Sequence, residues 1–446
     1  MFRTIETDVE PLAVVAGMRT PFARAFGPLA SVAADELGRV ALTAALQRAG
    51  LAPDRVDEVI FGNVASPPDT ANISRVIALR SGIPQDRVAH TVHRNCASGM
   101  EAIVAAWQAI REKRAQIVVA GGTESMSNVP LLWDPRMKNL LLDFSRQKSL
   151  FGKLRVLTRF RPSMLNPIAA LQLGLTDPTC GLNMGQTAEL LARDFSITRD
   201  EQDRFALLSH QRALATWERC FYKGETAPVA LADGTNVEKD SGPRKNQTLD
   251  ALARLKPLFE PTTGSVTAGN SCPITDGACA LVLMSAHRAR ASGIVPLGYI
   301  RDYSVAGCEP RRMGLGPVHA THKLIARHGM SLSDFDLFEI NEAFAAQVIA
   351  CQRAFASPEF ARTHFGQSTA IGEIPIENLN VNGGAIALGH PVGTTGARLV
   401  LTLLRALKEK NLQRGLATLC IGGGQGMAMW VETAESPGIN DVRGSL

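Results

Sequence analysis

NCASGMEAIVAAWQAI (residues 95–110), followed by IVVAGG (117–122), and NGGAIALGHPVGTTGARLVLTLLRAL (382–407), followed by ATLCIGGG (417–424), are two passages of the same design. Each sets small residues ahead of an apolar helical pattern and closes on a strand pattern that ends in glycines. A second pair extends the likeness: VDEVIFGNV (56–64) and FDLFEINEAF (335–344) each read as a strand leading to an Asn-containing turn. Leu12 to Val15 reads as a further buried strand, and residues 35–49 show helical periodicity. Strands alternating with helices indicate a layered α/β fold. The recurrence predicts two similar α/β halves packed together, with the active site where their loops meet.

Residues 126–261 are of another kind. They hold a basic, Leu/Phe-rich stretch at 134–165, a long helical pattern around 185–222 and a polar region at 232–248. A segment this long exceeds a connecting loop and reads as a domain inserted into the first half. The expected division is 1–125 and 262–292 for the first half, 126–261 for the inserted loop domain that covers the substrate, and 293–446 for the second half.

With 446 residues, 45% of them hydrophobic, the chain can bury a large core in two or three domains. The excess of Lys+Arg over Asp+Glu is only five, so overall charge gives no reason to expect a nucleic acid partner. The first twenty residues carry Glu6, Asp8 and Glu10 and lack the pattern of a secretory signal; with no apolar run of membrane-spanning length, the expected location is cytoplasmic. Eight cysteines without a C-x-x-C pair suggest neither a disulfide framework nor a zinc site.

Four stretches carry candidate chemistry. Cys96 stands at the head of the helical pattern Ala97–Arg111, where backbone N–H groups and the helix dipole favour a nucleophilic thiolate; the alternative is a buried, inert cysteine. The glycines of residues 382–391 allow a tight turn presenting His390, as proton acceptor for Cys96 or as donor to an oxyanion, unless the histidine is only structural. Cys420-Ile421-Gly422-Gly423-Gly424 is no dinucleotide fingerprint, because a strand and not a helix follows; a glycine turn between two strands would set Cys420 and backbone N–H groups at one rim. Asn341, in Asn341-Glu342-Ala343-Phe344, can fix a water or a substrate oxygen, or simply cap the next helix.

In this order, NCASGM, NEAFA, GGAIALGHPVGTTGAR and CIGGGQG resemble the active-site set of the thiolase family, and RTPF (19–22), AGGTESMS (120–127), MGQTAE (184–189) and VTAGN (266–270) extend the likeness over residues 11–432. The resemblance implies a duplicated five-layered α-β-α-β-α fold with an inserted loop domain. It implies that Cys96 is acylated, that His390 activates it, that Cys420 is the acid/base thiol, and that Asn341 holds a water which forms one oxyanion hole with His390. Backbone N–H groups of Cys96 and Gly422 would form the other. Met184, Met313, Cys272 and Phe344 would line the substrate. Coenzyme A enters as substrate, with no metal and no tightly bound cofactor.

The implied reaction is CoA-dependent cleavage of 3-ketoacyl-CoA in fatty-acid β-oxidation, reversible as a Claisen condensation. Two alternatives are a biosynthetic acetoacetyl-CoA-forming enzyme and a non-catalytic acyl-CoA- or lipid-binding subunit that keeps only the fold. A decarboxylating ketoacyl synthase would not need a proton-abstracting Cys420. Two departures bear on substrate range: Cys272 stands where many members have serine, and Asn183 where short-chain members often have histidine. The stretch 133–165 holds eight Lys or Arg against two Asp and resembles the insertion of thiolase subunits of β-oxidation complexes. It suits a partner subunit, an anionic membrane surface or the CoA phosphates. Family members are homodimers or homotetramers.

Overall fold

The computed structural model describes residues 10–434. The apolar run at Leu12 opens a strand longer than its pattern suggested: β1 covers Leu12–Arg19, buried along most of its length. Among the described residues it joins β2 (Glu58–Gly62), β3 (Val88–Val92), β4 (Ile117–Glu124), β5 (Thr275–Ser285), β6 (Gly298–Gly307), β7 (Leu337–Ile340), β8 (Arg414–Ile421) and β9 (Gln425–Thr433) in one mixed sheet, with the short strand Ala23–Arg24 paired to β5. The order is β7-β8-β9-β6-β1-β5-β4-β2-β3.

The two halves meet where β1 and β6 pair antiparallel, from Leu12–Ile300 to Val14–Gly298. Outward from that junction the halves repeat one another. β1, β5 and β4 are antiparallel neighbours followed by parallel β2; β6, β9 and β8 are antiparallel neighbours followed by parallel β7. Beyond β2 lies β3, whereas beyond β7 the place is held by a single parallel bridge, Phe338 to Leu379. β2 thus corresponds to β7 and β4 to β8, the pairs read from the sequence.

The helices used below are α1 (Ala34–Ala49), α2 (Ser98–Arg111), α3 (Pro135–Arg146), α4 (Leu150–Leu157), α5 (Met184–Asp194), α6 (Arg199–Glu218), α7 (Gly316–Arg327), α8 (Ala345–Ala356) and α9 (Thr395–Glu409). α1 covers β1 and β5 on one outer face, and α7 covers β6 and β9 on the other. Between them α2, on β2 and β4, meets α9, on β8 and β9. The one sheet thus supplies two layers, one from each half, and the order runs helix, half-sheet, helix, half-sheet, helix. Leu399, Val400, Leu401, Leu403, Leu404 and Leu407 of α9 are buried. Each such side chain contributes roughly 1.5–3 kcal/mol, an upper bound because real unfolded chains are already partly compact.

Glycines let the middle helices touch backbone to backbone. A Cβ on Gly99 would stand 2.8 Å from the Ala397 nitrogen, and one on Gly396 would stand 2.6 Å from the Met100 nitrogen. One on Gly122 would collide with the Gly393 carbonyl.

Between β4 and β5 the chain leaves the sheet. α3 and α4 form a hairpin around Met137, Leu140, Val156 and Met164, while Leu150 and Phe151 stand 78% and 81% exposed. The long helical pattern around 185–222 is two helices, parted where Ser196 takes φ +51°. Each starts on a capping box, Asn183 with Gln186 and Thr198 with Glu201, which satisfies otherwise orphaned N–H groups. α5 and α6 pack on α8, so Leu191 and Phe205 share a core with Val348 and Phe355 of the second half.

Replacing Gly396 with alanine forces a methyl group against backbone. The expected outcome in chemical denaturation is a loss of about 1–3 kcal/mol, as for overpacking of a close interior contact; an unchanged midpoint would mean that the helices have room to part.

Candidate active site

Cys96 lies in the loop between β3 and α2, next to Asn95 at φ +45°. Ser98 Oγ accepts from Arg94 N at 2.8 Å and donates to the Asn95 carbonyl at 2.7 Å, while Arg94 Nε donates to Glu101 at 2.6 Å. Asn95 Nδ2 donates to the Gly422 carbonyl at 2.8 Å. These bonds stitch the Cys96 loop to the glycine turn between β8 and β9, and the Gly422 N–H reaches Cys96 sulfur.

The expectation that the helix start makes Cys96 a thiolate is corrected. α2 begins at Ser98, beyond Cys96, and burial pushes the thiol up by more than the N–H groups of Gly422 and Cys96 lower it. The resting group is a thiol. The expectation of Cys420 at a rim is corrected as well. It ends β8 at 1% exposure, and burial, with Cys96, Cys351 and Cys272 nearby, drives its thiol far above the ordinary range. Cys272, whose N–H donates to the Ala343 carbonyl at 3.0 Å, completes the group; burial and then Cys96 push its thiol to about 12.

His390 is aimed by the turn before it. Gly383 and Gly389 take φ +80° and +107°, conformations open to glycine, and Gly384 leaves space filled by the Glu342 carboxylate. Glu342 pins that turn by accepting from Ser209 Oγ at 2.6 Å, Asn380 Nδ2 at 2.9 Å and Ile386 N at 3.1 Å. His390 Nδ1 lies 2.6 Å from Thr395 Oγ1, and Nε2 is buried without a hydrogen-bond partner. Burial, with Arg398 adding repulsion, pushes the imidazole down to about 4, so it is neutral at pH 7.

Asn341 caps no helix. α8 starts at Ala345 with Phe344 as its cap residue, while Asn341 N donates to the Thr418 carbonyl at 3.0 Å. Its side-chain oxygen and nitrogen are both buried and unpartnered, which is costly for an amide unless a bound group supplies the bonds. Met184, Met313, Phe344 and Cys420 belong to one apolar cluster; Met184 sulfur lies against Gly422, and Phe344 meets Phe259 edge-on at 6.0 Å.

Three features escaped the sequence reading. Glu124, at the end of β4, accepts from Asn63 Nδ2 at 3.0 Å, Val64 N at 3.0 Å, Ala65 N at 2.9 Å and Gly393 N at 2.9 Å. Burial, reinforced by Asp276, raises this carboxyl to about 7. An acid closing the apolar run IVVAGGTE was the available signal. Second, Arg24, Arg244 and His210 gather beside the His390 turn: Arg24 pairs with Thr275, and Arg244 N donates to His210 Nδ1 at 3.3 Å. Arg24 Nε is buried without a partner, and burial, with Arg244 and Arg24 repelling it, pushes His210 down to about 4. Nothing in the sequence linked these segments. The third is Thr395.

The family model described as thiolase, N-terminal domain matches residues 12–287, and that of the thiolase C-terminal domain matches 294–433. The chain belongs to the thiolase family. Among the relatives of this thiolase are the 3-ketoacyl-CoA thiolase of Yersinia enterocolitica (37% identical over 423 residues, 94% of this chain and 96% of the relative) and that of Erwinia tasmaniensis (38% over 425 residues, 95% and 97%). Similar solved structures include the Bacillus anthracis acetyl-CoA acetyltransferase (TM-score 0.84, 36% identity, 97% of this chain and 100% of that one). They also include human mitochondrial 3-ketoacyl-CoA thiolase in complex with CoA (TM-score 0.82, 35% identity, 95% and 98%). The five layers are those of the thiolase fold.

Proposed function

We propose that this thiolase cleaves 3-ketoacyl-CoA with CoA, giving acetyl-CoA and a shortened acyl-CoA through an acyl-Cys96 intermediate. The observation that carries the reading is the convergence of Cys96, Cys272 and Cys420, close enough for each thiol to bear on the others, beside the Gly422 turn that Asn95 Nδ2 holds at 2.8 Å. Relatives matched over nearly their whole length and named 3-ketoacyl-CoA thiolase support it.

In this scheme Cys96 gives its proton to His390 Nε2 and attacks the ketone carbon. The ketone oxygen takes the negative charge, met by the N–H groups of Cys96 and Gly422 beside the attacking sulfur. Collapse breaks the carbon–carbon bond; the leaving acetyl-CoA enolate, its oxygen met by imidazolium His390 and a water on Asn341, takes a proton from Cys420. In the second half-reaction the CoA thiol passes its proton to Cys420, attacks the thioester, and releases Cys96, which recovers its proton from His390. Two easier steps replace one difficult one. Arg24 and Arg244, close cations without carboxylate partners among the described residues, suit the CoA phosphates, and residues 126–261 serve as the cover over the substrate. Met184, Met313, Cys272 and Phe344 line it.

The same groups run the condensation backwards, as in a biosynthetic enzyme, but the insertion with the hairpin α3–α4 favours the degradative reading. A non-catalytic subunit would have no use for both thiols. The open edge of β3, where Val88 is 59% exposed, offers backbone groups to a second copy, in keeping with a homodimer or homotetramer.

A second reading concerns α3–α4. Leu141, Leu150, Phe151 and Leu154 are exposed among Arg146, Lys148, Lys153 and Arg155, a combination that suits an anionic membrane surface or a partner subunit.

Cleavage of 3-ketoacyl-CoA from four to sixteen carbons, with Cys96→Ala alongside, tests the first reading. Turnover of the longer chains, abolished in the variant, is expected; activity confined to acetoacetyl-CoA would favour the biosynthetic reaction. For the hairpin, flotation with anionic but not zwitterionic vesicles, lost in Leu150→Ser/Phe151→Ser, is expected; no flotation would leave a protein partner as its use.

A further inference from the structure

Thr395, the first residue of α9, is fully buried and has a single hydroxyl hydrogen to give. Its Oγ1 donates to the Pro391 carbonyl one turn back, at 3.0 Å, a bond hydroxyls in a first helical turn commonly make. The same oxygen lies 2.6 Å from His390 Nδ1. With its hydrogen committed to Pro391, Thr395 can only accept there, so Nδ1 carries the imidazole hydrogen. A neutral imidazole has one N–H; Nε2 is then a bare lone pair, and it is the nitrogen left without a protein partner.

We propose that Thr395 is a positioning residue that locks resting His390 in the Nδ1–H form, leaving Nε2 able to accept a proton and unable to donate one. This rests on the reading of Cys96 and His390 as nucleophile and base. Its consequence is an order of events. His390 cannot donate to the enolate oxygen until it has taken the Cys96 proton, so the proton that frees the nucleophile also creates the donor that stabilises the leaving enolate. Histidine in the other tautomer would hold Nε2–H from the start, aid the enolate, and fail to receive the proton. The neighbouring contacts keep the geometry fixed: His390 N donates to Thr275 Oγ1 at 3.2 Å, and Glu124 holds Gly393 N at 2.9 Å.

The experiment is nitrogen NMR of histidine-labelled protein near neutral pH, with the His390 signals assigned by their loss in His390→Asn, and with Thr395→Val and Thr395→Ser compared. A protonated Nδ1 and an unprotonated Nε2 are expected in the wild type and in the serine variant. The valine variant should show tautomer mixing and a kcat lower by on the order of 100-fold, the scale of lost general-base catalysis, with KM little changed. A wild-type His390 bearing its hydrogen on Nε2, or a valine variant with the tautomer unaltered, overturns the proposal. The wild-type spectrum decides even if the valine variant does not fold. The expected tautomer in a protein without thiolytic activity would support the role of Thr395 and remove the proposed reaction instead.

Discussion

The backbone contact between α2 and α9 is the constraint from which the site follows. Gly99 and Gly396 hold the same place in their two helices, the second helical residue, and each abuts the other helix where any side chain would push them apart. Because the helices meet at their starts, the loops that lead into them also meet. One carries Cys96 and the other His390. Glu124 braces the junction, since one carboxylate gathers N–H groups from the turn after β2 and from the turn after His390. The inserted segment is tied to the same body by buried Arg19, which donates to Glu225 and Asp240, each at 2.7 Å. Removing one partner from such a group would strand a buried charge.

The resting site is electrically quiet. Burial keeps Cys96, Cys272 and Cys420 as thiols and His390 as a neutral imidazole. In the proposed reaction charge appears there only once Cys96 gives up its proton, amid N–H groups whose positions are already set. That is the condition under which fixed dipoles stabilise a developing oxyanion most, because little has to reorganise. The amide of Asn341 and Nε2 of His390, which no protein group partners, are the buried polar groups there left to a bound water or substrate.

Much of this was legible in the sequence. The likeness of VDEVIFGNV to FDLFEINEAF, and of the two helix-strand passages, arises because each half must bury equivalent strands and one helix face, and burial imposes a periodic pattern. What stayed hidden was non-local. The protonation of Cys96 depends on desolvation by the surrounding body, which local spacing does not report, and α2 starts later than the apolar pattern because Asn95 takes a positive φ and turns the chain first. Cys420 was expected at a rim because a glycine turn follows its strand, yet the strand carries it inside. Arg24, His210 and Arg244 come from three distant segments, and Thr395 looked like one more small residue in a glycine-rich stretch.

The most direct measurement is peptide mass mapping after brief incubation with a 3-ketoacyl-CoA in the absence of free CoA, followed by acid quenching. The account predicts an acyl increment on the peptide containing Cys96, and none on those containing Cys272 or Cys420. An increment on either of those two, or acetyl-CoA release with no acylated cysteine at all, would contradict it.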